Sequence, residues 1–237
     1  NEVYGDHAGE NPKLALAFQR EVINNIIPRV KPDIIHCNDW MTGLIPGMAR
    51  RISIPCLFTV HNIHTYEIIL AAIEDRGIDA AEFWRDLYYT RVPYNYEETR
   101  ANNKVDLMAS GIFAAHFINT VSPTFLREIV DGCHEMIPYH IRREIREKYF
   151  SGCASGILNA PDPSFDPARD KMLQAPYTAE NHVEAKIENK RLFQKKTGLR
   201  RDDSAPLFFW PSRLDPVQKG CQLLTDILYS LISRYWD

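Results

Sequence analysis

The apolar positions of this 237-residue chain form two kinds of run. One recurs at helical spacing: Leu14, Leu16, Phe18, Val22, Ile23, Ile26 and Ile27 make the stripe of a helix expected over 13–30, with Pro28 marking its end. The other is short, continuous and closed by polar residues. Asp33-Ile34-Ile35-His36-Cys37 and Pro55-Cys56-Leu57-Phe58-Thr59-Val60-His61 read as strands of a buried parallel sheet. A helix expected over 42–51 joins them into a βαβ unit. A right-handed crossover puts both strand ends on one edge of the sheet. Both ends are polar, His36-Cys37-Asn38-Asp39 and His61-Asn62. Open α/β sheets bind ligands at the carboxyl ends of their strands, so this edge is a candidate site.

The same alternation continues. Helical pieces are expected over 67–76 and 79–90, where Tyr88, Tyr89, Tyr94 and Tyr96 cluster; they read as packing residues or as the lining of a sugar groove. A helix over 103–115 precedes a strand over 117–121, and Ser122 and Pro123 supply the cap and first position of the next helix. A charged helix over 139–149 leads to Gly156-Ile157-Leu158-Asn159, a short strand and turn. The proline-rich stretch 160–167 reads as a link. A charged helix over 179–197 is closed by Gly198. Leu207-Phe208-Phe209-Trp210 reads as a new buried strand and 222–236 as its helix. A lone strand and helix cannot bury their own faces. The expectation is therefore an α/β protein with a Rossmann-like parallel sheet flanked by helices, an incomplete N-terminal domain over 1–165, a linker and helix over 166–204, and the start of a second domain over 205–237.

Composition narrows the function classes. Lys plus Arg is 28 and Asp plus Glu is 31, so the basic footprint of a nucleic-acid binder is missing. The five cysteines show neither metal-site nor redox-pair spacing; Cys37 and Cys56 sit in apolar runs as buried thiols, which suits a reducing cytoplasm. No apolar run approaches the ~18 residues of a membrane span, and none reads as a signal peptide. No partner in a membrane is expected, and no metal site.

Five segments then occur in an order that resembles one family. Pro32-Asp33-Ile34-Ile35-His36-Cys37-Asn38-Asp39-Trp40-Met41-Thr42-Gly43, Phe58-Thr59-Val60-His61-Asn62, Thr120-Val121-Ser122-Pro123-Thr124, Gly156-Ile157-Leu158-Asn159 and Ser212-Arg213-Leu214 with Gln218-Lys219-Gly220 are similar to motifs of bacterial glycogen synthases and plant starch synthases. These are retaining glucosyltransferases with two facing Rossmann-like domains, the GT-B type. The resemblance implies glucose transfer from ADP-glucose or UDP-glucose to the non-reducing end of an α-1,4-glucan, with no cofactor. It implies that Arg213 and Lys219 hold the diphosphate, and that His61 lies beside the reacting carbon, these three being the catalytic candidates. Asp39, Trp40, Asn62 and Asn159 are the candidate donor- or acceptor-binding residues. Read without the resemblance, Arg213 and Lys219 are a surface pair on a solvated turn, His61 is a polar strand end, and Asp39 caps a helix.

The chain departs from the pattern in four places. It has no opening Lys-x-Gly-Gly-Leu loop, and it reaches only one strand and helix of the second domain. Pro216-Val217 lengthens the turn between Arg213 and Lys219, and Ala160-Pro161 follows Asn159 where the family has Gly-Ile. The isolated chain is therefore expected to be inactive. Two other functions stay open: a non-catalytic glucan- or sugar-binding module, and a related transferase with another acceptor.

Overall fold

The computed structural model describes residues 10–214 and 219–234. The chain divides into two units, Asn1–Ala160 and Pro161–Asp237.

Unit 1 opens with α1 (Glu10–Glu21), which widens into a π-helical turn at Val22–Ile26 and resumes as α2 (Ile27–Val30). Pro28 thus lies inside the helical run and does not end it. The π turn loosens the backbone just where a proline ring would meet the preceding turn. Lys31, in the left-handed region at φ 49, closes the helix. Next come β1 (Ile35–Asn38), α3 (Ile45–Arg51) and β2 (Cys56–Val60). After an excursion the chain returns through α6 (Leu107–Ala114), β5 (Phe117–Thr120), α7 (Pro123–Asp131), α8 (Tyr139–Phe150) and β6 (Ala154–Gly156). The sheet has the order β1-β2-β5-β6, and all its pairings are parallel. Ser122 caps α7 by accepting from the Phe125 amide at 3.1 Å, with Pro123 in the first turn.

The strands advance in one direction across the sheet, so right-handed crossovers place their helices on one face. That face carries Cys37, Cys56, Phe58 and Ile118, all buried. α6 is apolar on every side and lies in the core, which is the pattern of an enclosed helix. Gly111 lets it approach β2: a Cβ there would lie 2.3 Å from the Phe58 ring. The Cys37 and Cys56 sulfurs are 3.8 Å apart and buried as free thiols.

The excursion corrects two expectations. Residues 67–69 are not helical: β3 (Glu67–Ile69) pairs antiparallel with β4 (Lys104–Asp106), and only Leu70–Glu74 (α4) is helix. Accordingly the helix expected from 103 begins only at Leu107. β-branched Ile68 and Val105 face each other in this ladder, a long-range pairing that overrides local helix preference. The 79–90 stretch holds two 3₁₀ turns, Ala80–Glu82 and Trp84–Asp86. α5 (Tyr96–Asn102) follows, capped by Asn95. Tyr89 is buried, Tyr88 and Tyr96 are half-buried, and Tyr94 is exposed. β6 ends at Gly156, so Ile157, Leu158 and Asn159 lie beyond the strand and are exposed.

Unit 2 contains α9 (His182–Thr197) and α10 (Cys221–Arg234). Gly198 ends α9 at φ 74. The strand expected at 207–210 does not form, and Phe208 and Phe209 are exposed. A strand needs an edge to pair with, and unit 2 has no strand among its described residues. The segment is held to α9 in another way. Lys190 donates to the carbonyls of Asp203 and Ala205, Arg191 pairs with the Asp203 carboxylate, and the Phe209 ring meets Phe193 at 6.1 Å. The expected helix over 222–236 is present as far as Arg234, and its last residues lie outside the described set.

Candidate functional site

The carboxyl end of β1 continues the parallel ladder for one residue, the Asp39 amide donating to the Thr59 carbonyl at 3.0 Å. The backbone then turns sharply. Asp39 has φ 56 and ψ 179, a region that is essentially the preserve of glycine. Thr42 locks the turn: its Oγ1 accepts from the Asn38 amide and donates to the Asn38 carbonyl, both at 2.9 Å. The turn is seated on α6, because Gly43 lies against the Leu107 carbonyl, where a Cβ would come within 1.9 Å of the oxygen.

This strained turn aims Asp39 at the neighbouring strand. Its Oδ1 accepts from the His61 amide at 2.8 Å, and the residue is only 8% exposed. The His61 imidazole reaches back in turn, with Nε2 3.0 Å from the Asn38 Oδ1. An amide oxygen only accepts, so this nitrogen carries the proton. The ends of β1 and β2 are thus cross-linked twice. Past His61, the Asn62 Oδ1 accepts from the His64 amide at 2.9 Å, folding the loop back on itself. The Tyr66 ring ends that loop 5.8 Å from the Trp40 ring. Beneath the cluster a polar ladder crosses three strands: His36 Nε2 meets Thr59 Oγ1 at 2.7 Å, and Thr59 Oγ1 donates to Asn119 Oδ1 at 2.6 Å.

Four of the residues singled out from sequence, Asp39, Trp40, His61 and Asn62, therefore come together at one sheet edge. Asn159 lies past the end of β6, exposed and away from strand pairing. Arg213 and Lys219 belong to unit 2, and both are exposed. Lys219 sits just before α10, and the Pro216-Val217 turn lies outside the described residues. Tyr66 and Asn119 do not stand out in the sequence as candidates, and Asn38 enters there only as part of the polar end of β1. The polar end of Phe117-Ile118-Asn119-Thr120 was the available signal for Asn119, since it matches the ends of β1 and β2. Among the described residues no group of three His, Cys, Asp or Glu side chains is placed to hold a metal, and no helix is long and apolar enough to cross a membrane.

A parallel sheet with a polar, cross-linked carboxyl edge is the architecture of a Rossmann-like ligand-binding domain. The family model of the starch synthase catalytic domain matches residues 1–138, and the chain belongs to that family. Among solved structures, the catalytic domain of starch synthase IV from Arabidopsis thaliana, bound to ADP and acarbose, is similar at a TM-score of 0.68 and 24% identity. The match covers 98% of this chain and 46% of that one, and it supports the α/β fold of GT-B type.

Proposed function

We propose that this chain is part of a retaining glucosyltransferase that moves glucose from ADP-glucose or UDP-glucose to the non-reducing end of an α-1,4-glucan. The observation that carries the reading is the double link between the ends of β1 and β2, Asp39 to the His61 amide and His61 to Asn38, in a chain of the starch synthase family. Transfer breaks the bond between the anomeric carbon and the diphosphate, and joins that carbon to a glucan hydroxyl whose proton passes to the leaving phosphate. Negative charge grows on the phosphates and positive charge on the sugar. Fixed polar groups that need no rearrangement stabilise such charge best. His61 is assigned to the donor sugar beside its reacting carbon, Asp39 and Asn62 to sugar hydroxyls, Trp40 to a sugar face, and Asn159 to the donor. Arg213 and Lys219 are assigned to the diphosphate, where a guanidinium fork and a point charge suit phosphate oxygens.

The test is release of nucleoside diphosphate from each donor in the presence of glucan, measured on the 237-residue chain and on the longest reading frame that contains it. Turnover by the longer polypeptide and none by the shorter is the expected result. A folded longer polypeptide that turns over neither donor would overturn the reading. If it also bound glucan, the non-catalytic module would replace it.

A further inference from the structure

Asp106 is 2% exposed and carries a carboxylate that none of the roles above uses. It lies at the junction of β4 and α6, and each of its oxygens is engaged. Oδ1 accepts from the Ala109 amide at 2.8 Å, capping α6, and also from the Thr65 hydroxyl. Oδ2 meets Nε2 of His140, on α8, at 2.8 Å. The His140 ring is stacked on Tyr88 with centroids 5.6 Å apart and planes at 22°. The Tyr88 carbonyl accepts from the Asp106 amide at 3.1 Å, and its hydroxyl accepts from Arg143 at 3.3 Å. Thr65 belongs to the loop that begins at His61. The same loop is tied to α6 twice more: the Leu107 amide donates to the Tyr66 carbonyl at 3.0 Å, and the Met108 amide to Thr65 Oγ1 at 3.2 Å. The turn of Asp39 also rests on Leu107, through Gly43.

We infer that Asp106, held by His140, is a positioning residue for the 61–66 loop, fixing through Thr65 the conformation in which His61 and Asn62 face the donor. A helix cap alone needs one acceptor oxygen. Here the second oxygen is fixed by an imidazole that is itself clamped on Tyr88, so the carboxylate is held in one rotamer and the Thr65 hydroxyl proton has one acceptor. A buried carboxylate with both oxygens satisfied makes a rigid hub; with one released it turns. The inference rests on the transferase reading for what the loop faces, but its test requires no turnover.

The test is amide hydrogen exchange in the 237-residue chain, followed at His61, His64 and Met108, with Phe58 and Ile118 of the sheet as internal controls. Asp106→Ala is expected to speed exchange at the three loop-linked amides by about tenfold, the scale of one lost hydrogen bond to a charged group. His140→Phe keeps the ring on Tyr88 but removes its bond to Asp106, and is expected to speed the same amides about fivefold. His140→Gln restores a donor and should return them to within about twofold of the parent. The sheet amides should stay unchanged throughout. If Asp106→Ala does not fold, the two His140 variants decide the matter alone. Unchanged exchange in His140→Phe overturns the inference, as does uniform acceleration that includes Phe58 and Ile118, or a His140→Gln variant no better than His140→Phe. Failure of glucosyl transfer in the parent, with these exchange results intact, would sink only the transferase reading.

Discussion

The strained backbone at Asp39 gives a prediction that separates strain from contact. At φ 56 and ψ 179 a residue with a side chain is held at a cost of about 1–3 kcal/mol. The Asp39 side chain offsets that cost through its bond to the His61 amide, which is of the charge-assisted kind that contributes about 1.5–3 kcal/mol. Asp39→Ala keeps the strain and loses the acceptor, so it should destabilise by about 2 kcal/mol. Asp39→Gly loses the same acceptor but releases the strain, less about 0.4–1 kcal/mol for its freer unfolded chain. Gly should therefore be more stable than Ala by about 1 kcal/mol, or about 2–4 °C in thermal melts for a domain of this size. Asp39→Asn retains an amide oxygen and should be the most stable of the three. Activity should order differently in the polypeptide that carries transfer: Gly should be as impaired as Ala, because neither holds the His61 amide. An Ala variant as stable as Gly would refute the claim of strain, and a Gly variant with full turnover would refute the claim that the turn exists to aim Asp39.

Further outcomes follow from neighbouring features. Gly43→Ala should lower stability by about 1–3 kcal/mol although alanine is the better helix former, because the Leu107 carbonyl stands 1.9 Å from the new Cβ; an unchanged melting temperature would contradict that packing. Partial burial, then the charges of Arg50 and Lys148, hold the His116 pKa below its ordinary 6.5, and its Nδ1 accepts from the Cys56 amide at 3.1 Å. The folded chain then binds fewer protons than the unfolded one below that value, so stability is full above about 6.5 and falls as pH drops toward the folded pKa. His116→Asn should flatten urea midpoints measured between about pH 7 and about pH 5, and identical slopes would remove the assignment. A thiol reagent should label exposed Cys133 in the folded chain and reach Cys37 and Cys56 only on unfolding, since both are buried and the hydrogen bond to Cys37, then burial, pushes the Cys56 thiol up. Arg213→Ala should lower kcat by about 10²–10³, the loss for one fixed donor to developing charge; a change confined to KM would move Arg213 from the transition state to ground-state binding.

What the sequence disclosed tracks how local each cause is. Strands β1, β2 and β5 were legible because burial on the covered face and a polar carboxyl end are both written in consecutive residues. β3 was not, because Leu70-Ala71-Ala72 directly after it favours helix, and only the distant Val105 makes Ile68 a strand residue. At 207–210 the apolar run predicts a strand, yet such a run is necessary without being sufficient: with no strand to pair with among the described residues of unit 2, it is strapped to α9 by Lys190 and Phe193 instead. The site divides along the same line. That Asp39 and His61 share an edge follows from the handedness of one βαβ unit, so their polar character alone located them. That Asp39 bends into a glycine-like conformation to reach the His61 amide, and that Asp106 holds Thr65 beneath the loop, depends on α6 arriving under both turns at Leu107. Asp106 sits in an unremarkable run, Asn103-Lys104-Val105-Asp106, and what distinguishes it is convergence of contacts from Thr65, His140 and Ala109. A motif therefore identifies the residues that would face a ligand, whereas the residues that fix their geometry come from whichever helix supports them.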